Sequence, residues 1–211
     1  MDTPRTAVDR LLVDGSGNRP RADARRNVER LVAAARTAVA EVGVEVSAHD
    51  IARRAGVGVG TFYRRVPSRE ALLEAVLEDV LAEVMELADR ALADPDPWHG
   101  FTTFATAYVG LRTESCGIGE ALGGACGEVF EQTLADLRGR VRALVARAQE
   151  AGVLRADVAW QDVPFLLAAV ATTGRTVGLT AGERQWERHL RVVLDGLRTP
   201  DPVPLPGSPP S

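Results

Sequence analysis

Ser47–Leu73, SAHDIARRAGVGVGTFYRRVPSREALL, reads as two short helices joined by a glycine turn, with a third helix opening directly behind them. Ser47 is placed to cap a helix start, and Asp50 three residues on supplies the acidic half of a capping-box pattern. Ile51, Ala52 and Ala55 give that helix a small apolar face. Gly56 can take the left-handed conformation that ends it, and Val57 anchors the turn. In the second segment, Val59 to Val66, Phe62 and Val66 stand four apart on one face. Gly60, Thr61, Tyr63, Arg64 and Arg65 are left largely outside. A short helix, a glycine turn and a second helix with an Arg/Tyr outer face meet the requirements of a DNA-binding helix-turn-helix, whose second helix enters a groove lined with phosphates. Spacing alone also permits an ordinary helical hairpin with a solvated charged face.

Particular residues carry more than spacing does. The run IARRAGVGVGTFYRRVPSREALLEAV, residues 51–76, resembles the DNA-binding region of the tetracycline-repressor (TetR) family of bacterial regulators, whose pattern is close to IA-x-x-AGVS-x-GT-[LF]-Y-x-x-F-x-[ST]-KE-x-L. Three positions depart from it. Gly58 stands where the family usually has Ser, Val66 replaces a usual Phe, and Arg69 replaces a usual Lys. The resemblance implies that Val59, Gly60, Thr61 and Arg64 face base edges, that Ser47, Tyr63, Arg65 and Arg69 hold phosphates, and that Gly58 opens the recognition helix without a side-chain cap. Ile51, Phe62 and Val66 then hold the helices together.

The net charge of -4 argues against a nucleic-acid partner until it is divided along the chain. Residues 1–75 hold 13 arginines against 10 acidic residues, and the remainder holds 12 against 19. A cationic N-terminal part ahead of an acidic body suits a protein that meets phosphate at one end only. All 25 basic residues are arginine, which reads as a coding bias and is no evidence for phosphate recognition by itself. Hydrophobic content of 45% and charged content of 26% are ordinary for a globular protein. No stretch approaches the roughly 20 apolar residues that span a bilayer, and MDTPRTAVDR lacks a secretory core, so a cytoplasmic location without membrane contact is expected.

In chain order, residues 1–22 are expected to form a mobile arm. Its Arg19 and Arg21, with Arg25 and Arg26, are either solvated or follow a DNA backbone. Residues 23–68 form a three-helix head, opened by a helix from Ala24 to Val42 that Gly43 stops. Helix 69–92 links this head to a helical body, 69–198, and the DPDP run at 94–97 breaks it. Beyond the break, Trp98, Phe101, Phe104 and Tyr108 share one stripe. The glycine-rich segment CGIGEALGGACGE is expected to be irregular. Helices are expected over Val129–Ala151, Ala159–Val177 and Gly182–Leu197, and the proline-rich tail 199–211 is expected to be disordered or polyproline-like. The fold class is all-α.

The resemblance extends this reading to function. It implies a transcriptional regulator, most often a repressor, that binds a palindromic operator as a homodimer and answers to a small effector. In the family the last two long helices pair with their copies in a second subunit. Leu167, Val170, Trp186, Leu190, Val193, Leu194 and Leu197 are the interface candidates on that basis. Phe101, Phe104, Tyr108, Phe130, Phe165 and Thr172 are candidates to line a pocket for a largely apolar ligand. Two other classes are open to a helical chain. An enzyme needs a nucleophile, base or metal constellation, and no HExxH, GxSxG, Walker loop or paired carboxylate set is present. Neither Gly117-x-Gly119-x-x-x-Gly123 nor Gly56-Val-Gly-Val-Gly60 follows a strand, so neither is a nucleotide loop. His49, His99 and His189 lack acidic or cysteine partners at a useful spacing, and no cofactor or metal is expected. Cys116 and Cys126 read as small buried hydrophobes, with a redox pair as the alternative. A helical interaction module explains the amphipathic helices but leaves the Arg/Tyr face without a purpose.

Overall fold

Helix ends in this chain are fixed by side chains that can be read one at a time, and they set the course of the backbone. The computed structural model describes residues 6–12, 22–114, 130–170, 175–198 and 201–210. It divides into two units, the first running to Ala82 and taking in Phe130, the second comprising Glu83–Glu114 and Glu131–Ser211. Cys116, Cys126, their glycine-rich segment, Arg19, Arg21 and Thr172 lie outside the described residues.

The first unit holds α1 (Ala7–Leu11), α2 (Ala22–Val42), α3 (Ala48–Arg54), α4 (Val59–Arg65) and the N-terminal half of α5 (Arg69–Ala93). The apolar spacing of α2 buries Val28, Leu31, Ala35, Ala38 and Val39, while Val42 stays exposed. This stripe packs on α3 and α4. Around it, Ile51, Phe62 and Val66 are fully or almost fully buried, as their spacing predicts. Val66 fills the position of a usual Phe without leaving the core. Its extended backbone, φ −129° and ψ 133°, is what the following Pro67 requires, and this ends α4. Ser68 Oγ then accepts from Ala71 N at 3.0 Å and starts α5.

Part of the expected mobile arm is helical and tied down. Thr6 caps α1, Ala7 is fully buried, and its N–H donates to both oxygens of Asp79 at 3.0 Å. Arg10 adds ion pairs to Glu78 at 2.7 Å and Asp79 at 2.6 Å. Composition does not reveal this docking, because it depends on two acids of α5 some seventy residues away.

The second unit is built on α6 (Pro97–Glu114), α7 (Glu131–Glu150), α8 (Asp162–Val170) and α9 (Gln185–Leu197), with the end of α5. Pro97 opens α6 at the position where a missing N–H costs nothing, and Asp96 Oδ1 accepts from Trp98 N and His99 N. α6 turns back so tightly on α5 that a Cβ at Gly100 would stand 2.3 Å from Ala91 O. The Arg147 guanidinium of α7 donates to Leu92 O at 2.6 Å and Asp94 O at 2.5 Å, satisfying carbonyls that the end of α5 leaves over. α6 packs against α7, α8 and α9.

Two expectations about the body change. The helix expected to reach Val177 is described as far as Val170, and Arg175–Thr176, expected inside it, instead pairs antiparallel with Leu179–Thr180 as a two-residue hairpin, β1–β2. Val177 and Gly178 make its turn, both with positive φ. The tail has no regular secondary structure over 201–210, and it is held: Arg155 Nη2 donates to Val203 O at 2.8 Å, and Leu205 N donates to Asp157 Oδ2 at 3.2 Å.

Candidate nucleic-acid interface

The recognition unit is assembled from its helix caps upward. Ser47 Oγ accepts from Asp50 N at 3.1 Å and donates to Asp50 Oδ2 at 2.7 Å, closing the first turn of α3. That hydrogen bond is the main reason the Asp50 carboxyl lies below its ordinary range, with Arg53, His49 and Arg54 nearby adding to it. At the other end Gly56 has φ +64°, Gly56 N donates to Arg53 O at 3.1 Å and Val57 N to Ala52 O at 3.0 Å. This is a Schellman turn, and it delivers the chain into α4 within two residues.

Gly58 is the N-cap of α4, with φ −71°, ψ 149° and no side-chain cap bond. The cap lost by the departure from Ser is therefore visible in the geometry. Nothing stands within 4 Å of a Cβ built on Gly58 or Gly60. The first turn of α4 thus presents open backbone. Behind it Phe62 is fully buried and meets the Tyr63 ring edge-on at 5.1 Å, while Tyr63 itself is 57% exposed. Val59 and Thr61 are half-buried beside these open positions.

The charges divide clearly. Arg53 is paired with Asp50 and Arg54 with Glu41, both at 2.6 Å. Arg64 and Arg65, both exposed, have no carboxylate partner among the described residues. Arg64 lies along its own helix, donating to Thr61 Oγ1 at 3.0 Å and Gly60 O at 3.3 Å. Gly58, Val59, Gly60, Thr61, Tyr63, Arg64 and Arg65 are thus brought together on one short helix, with Ser47 at the start of the preceding one. Arg69 is placed differently. Its Nε donates to Val46 O at 2.6 Å, its Nη2 to Val44 O, and its Nη1 meets Glu70 at 3.2 Å. All three nitrogens are engaged within the unit.

Spacing gave no sign of Arg30. From α2 its guanidinium donates to Ala55 O at 2.6 and 2.9 Å and to Gly56 O at 2.8 Å, across the glycine turn. The available signal was an arginine on the α2 face that packs toward the turn, which becomes meaningful only once the packing is known.

The body candidates separate as well. Phe101, Phe104 and Tyr108 are buried along α6, and Phe130 is buried in the first unit. Phe165 is 66% exposed on α8, so it belongs to an outer face and not with the α6 aromatics. Arg112 lies over the Tyr108 ring at 5.8 Å, and its Nε is buried with no hydrogen-bond partner among the described residues. Burial raises the Tyr108 hydroxyl pKa. Of the interface candidates, Leu167, Val170, Leu190, Leu194 and Leu197 face inward and are nearly inaccessible, Trp186 and Val193 are half-buried, and the outward positions are Phe165, Leu166 and Val192. Within this one chain these apolar side chains are buried on the inner side of their helices. His99 also finds the partner that spacing did not offer: its Nδ1 is 2.6 Å from Asp94 Oδ2 across the α5–α6 break. Among the described residues, no group of three or more His, Cys, Asp or Glu could hold a metal. No helix among them is long and apolar enough to cross a membrane.

Comparison with known proteins agrees with this geometry. Residues 31–76 match the family described as bacterial regulatory proteins, tetR family, and residues 96–199 match the SbtR-like transcriptional regulator C-terminal domain. No curated protein matches the chain. Among solved structures, the TetR transcriptional regulator SCO0520 from Streptomyces coelicolor is 32% identical, with 81% of this chain and 98% of that one covered and a TM-score of 0.58. A TetR transcription regulatory protein from Mycobacterium vanbaalenii is 34% identical, with 85% and 99% covered and a TM-score of 0.58. FadR from Bacillus subtilis, solved in complex with stearoyl-CoA, shares the fold at 13% identity, with 82% and 98% covered and a TM-score of 0.60. With a helix-turn-helix head, an all-α body and relatives above 30% identity over most of its length, the chain belongs to the TetR family of transcriptional regulators, which are DNA-binding proteins and not enzymes.

Proposed function

We propose that this regulator is a repressor that acts in the cytoplasm, binds a palindromic operator as a homodimer and is released by a small effector. The observation that carries the reading is the outer face of α4. Two guanidinium groups without carboxylate partners among the described residues, an exposed tyrosine and two glycines open to solvent share one seven-residue helix and its N-cap. Open backbone at Gly58 and Gly60 lets the helix start approach a groove closely, with Val59 and Thr61 beside the base edges and Arg64 free to swing from Thr61 toward a guanine. Tyr63, Arg65 and Ser47 hold phosphates. A single helix of this length reads few bases, so a second copy related by a two-fold axis supplies the rest.

The dimer surface in this reading is the outward side of α8 and α9, centred on Phe165, Leu166 and Val192, with Trp186 and Val193 at its margin. Large apolar side chains this exposed mark an association surface. The effector site is assigned to the body near α6. The Arg112 Nε, buried and with no hydrogen-bond partner among the described residues, favours a ligand that carries a hydrogen-bond acceptor on an otherwise apolar frame. The effector must bind one head placement better than the other, because equal affinity shifts nothing.

A DNase footprint on DNA flanking its own gene tests the core of the proposal. A two-fold symmetric protected site is expected, with half-sites about one helical turn or a multiple of it apart. Protection of a single unrepeated half-site, or uniform weak protection, would overturn the dimeric operator reading.

A further inference from the structure

Arg30 and Arg69 hold α3 from its two ends. Arg69, the first residue of α5, spans the carbonyls of Val44 and Val46, and Val46 directly precedes the Ser47 cap of α3. Arg30 spans the carbonyls of Ala55 and Gly56, where α3 stops and the turn into α4 begins. Both loops carry carbonyls that no helix satisfies, and a planar guanidinium holds two of them from separate nitrogens at a fixed spacing, where an ammonium presents all its donors from one point on a shorter, flexible stem. The Arg69 side chain is only 24% exposed, and its remaining nitrogen is turned to Glu70.

We infer that Arg69 is a positioning residue for DNA reading that acts through the α2–α3 loop and not a phosphate ligand, with Arg30 as its counterpart at the α3–α4 turn. The inference rests on the DNA-binding reading above. The replacement of a usual Lys by Arg at this position then changes the role: a point charge that suits a phosphate becomes a fork that ties the first turn of α5 to the start of α3. Any displacement of that turn reaches α3 through the Arg69 fork. α4 follows, because α3 and α4 are packed together and joined by the turn that Arg30 holds.

The test is fluorescence anisotropy of the full chain on its operator over a salt series, with wild type, Arg69→Lys, Arg69→Ala and Arg30→Lys, together with hydrogen exchange of the amides of residues 44–48. Arg69→Lys and Arg69→Ala are expected to weaken operator binding alike, by about tenfold, for loss of two charge-assisted bonds. The salt slope should stay at the wild-type value in both, exchange at 44–48 should quicken, and Arg30→Lys should behave similarly on affinity. A phosphate ligand gives the opposite pattern: Arg69→Lys binds as wild type, and Arg69→Ala lowers the slope by about 0.9, one released counterion. That pattern, or wild-type binding by Arg69→Ala, overturns the inference. Should Arg69→Ala fail to fold, Arg69→Lys decides through affinity and exchange together. Wild-type chain that binds no DNA at low salt removes the DNA reading and this role with it. Wild-type binding matched by Arg69→Lys removes this role alone.

Discussion

The head and the body of this protein use the same helical materials and differ in how their geometry is specified. In the head, short helices are locked mainly by local devices: the Ser47–Asp50 cap, the Gly56 turn and Pro67 behind Val66. In the body, longer amphipathic helices are positioned by shape, as where α6 passes Ala91 O at Gly100, and by which side of each helix faces its neighbours. Local devices leave marks at fixed sequence offsets. Packing choices do not.

The widest expected effect tests the head. Phe62→Ala empties a fully buried site and should cost about 3–5 kcal/mol in urea unfolding; a loss under ~1 kcal/mol would show that α4 does not rest on this core. In the body, Gly100→Ala pushes a methyl against a backbone oxygen and should cost about 1–3 kcal/mol, by the same measurement. Full tolerance there would mean that the α5–α6 junction is not fixed by close approach. Phe165→Ser sharpens the contrast further, because the side chain is already exposed. Its stability should shift by no more than about 0.5 kcal/mol, while sedimentation should show the dimer lost or strongly weakened. Unchanged association would place the dimer surface elsewhere.

Gly58→Ser has the opposite sign. The backbone at 58 already has cap geometry and nothing obstructs a Cβ, so the substitution should stabilise the head by about 0.5 kcal/mol. A loss of stability would mean that Gly58 is kept for its backbone.

The smallest effect is electrostatic and lies in the body. Asp94 holds the His99 pKa above its ordinary 6.5, first through the 2.6 Å hydrogen bond and then through its charge. The group binds its proton more tightly folded than unfolded. Its contribution is therefore complete below pH ~6.5 and lost as pH rises through the raised folded value. Asp94→Asn should return the His99 titration, followed by NMR, toward 6.5; an unmoved titration would contradict the pairing.

These contrasts explain how much the sequence discloses. The head is legible because Ser47, Gly56, Gly58, Phe62 and Pro67 act on neighbours within five residues, and a family pattern spans them. α1 was hidden, since Ala7 and Arg10 dock on Glu78 and Asp79 far along the chain. In the body, periodicity collects Leu167, Leu190, Leu194 and Leu197 on stripes, and a stripe is equally suited to a core or to a partner; within the single chain these side chains are buried. Phe165 and Val192, one helix side away, carry the exposed apolar surface. The first strand of the hairpin, Arg175–Thr176, falls inside the helix that periodicity predicts to Val177, because apolar and small residues run up to it. Thr176, Val177 and Thr180 carry the signal, β-branched residues about the turn at Gly178. The Arg69 departure was visible as a residue type, whereas its commitment to Val44 and Val46 appears only in three dimensions.

The most direct test of the central claim, that α4 reads DNA, is the affinity of the full chain for the footprinted operator and for a scrambled duplex of equal length, measured across a salt series with wild type and Arg64→Ala. Wild type should prefer the operator by about 10³-fold or more and lose affinity for both duplexes as salt rises. Arg64→Ala should lose about 1–3 kcal/mol on the operator and far less on the scrambled duplex. Equal losses on the two duplexes, or no preference for the operator in wild type, would contradict the account.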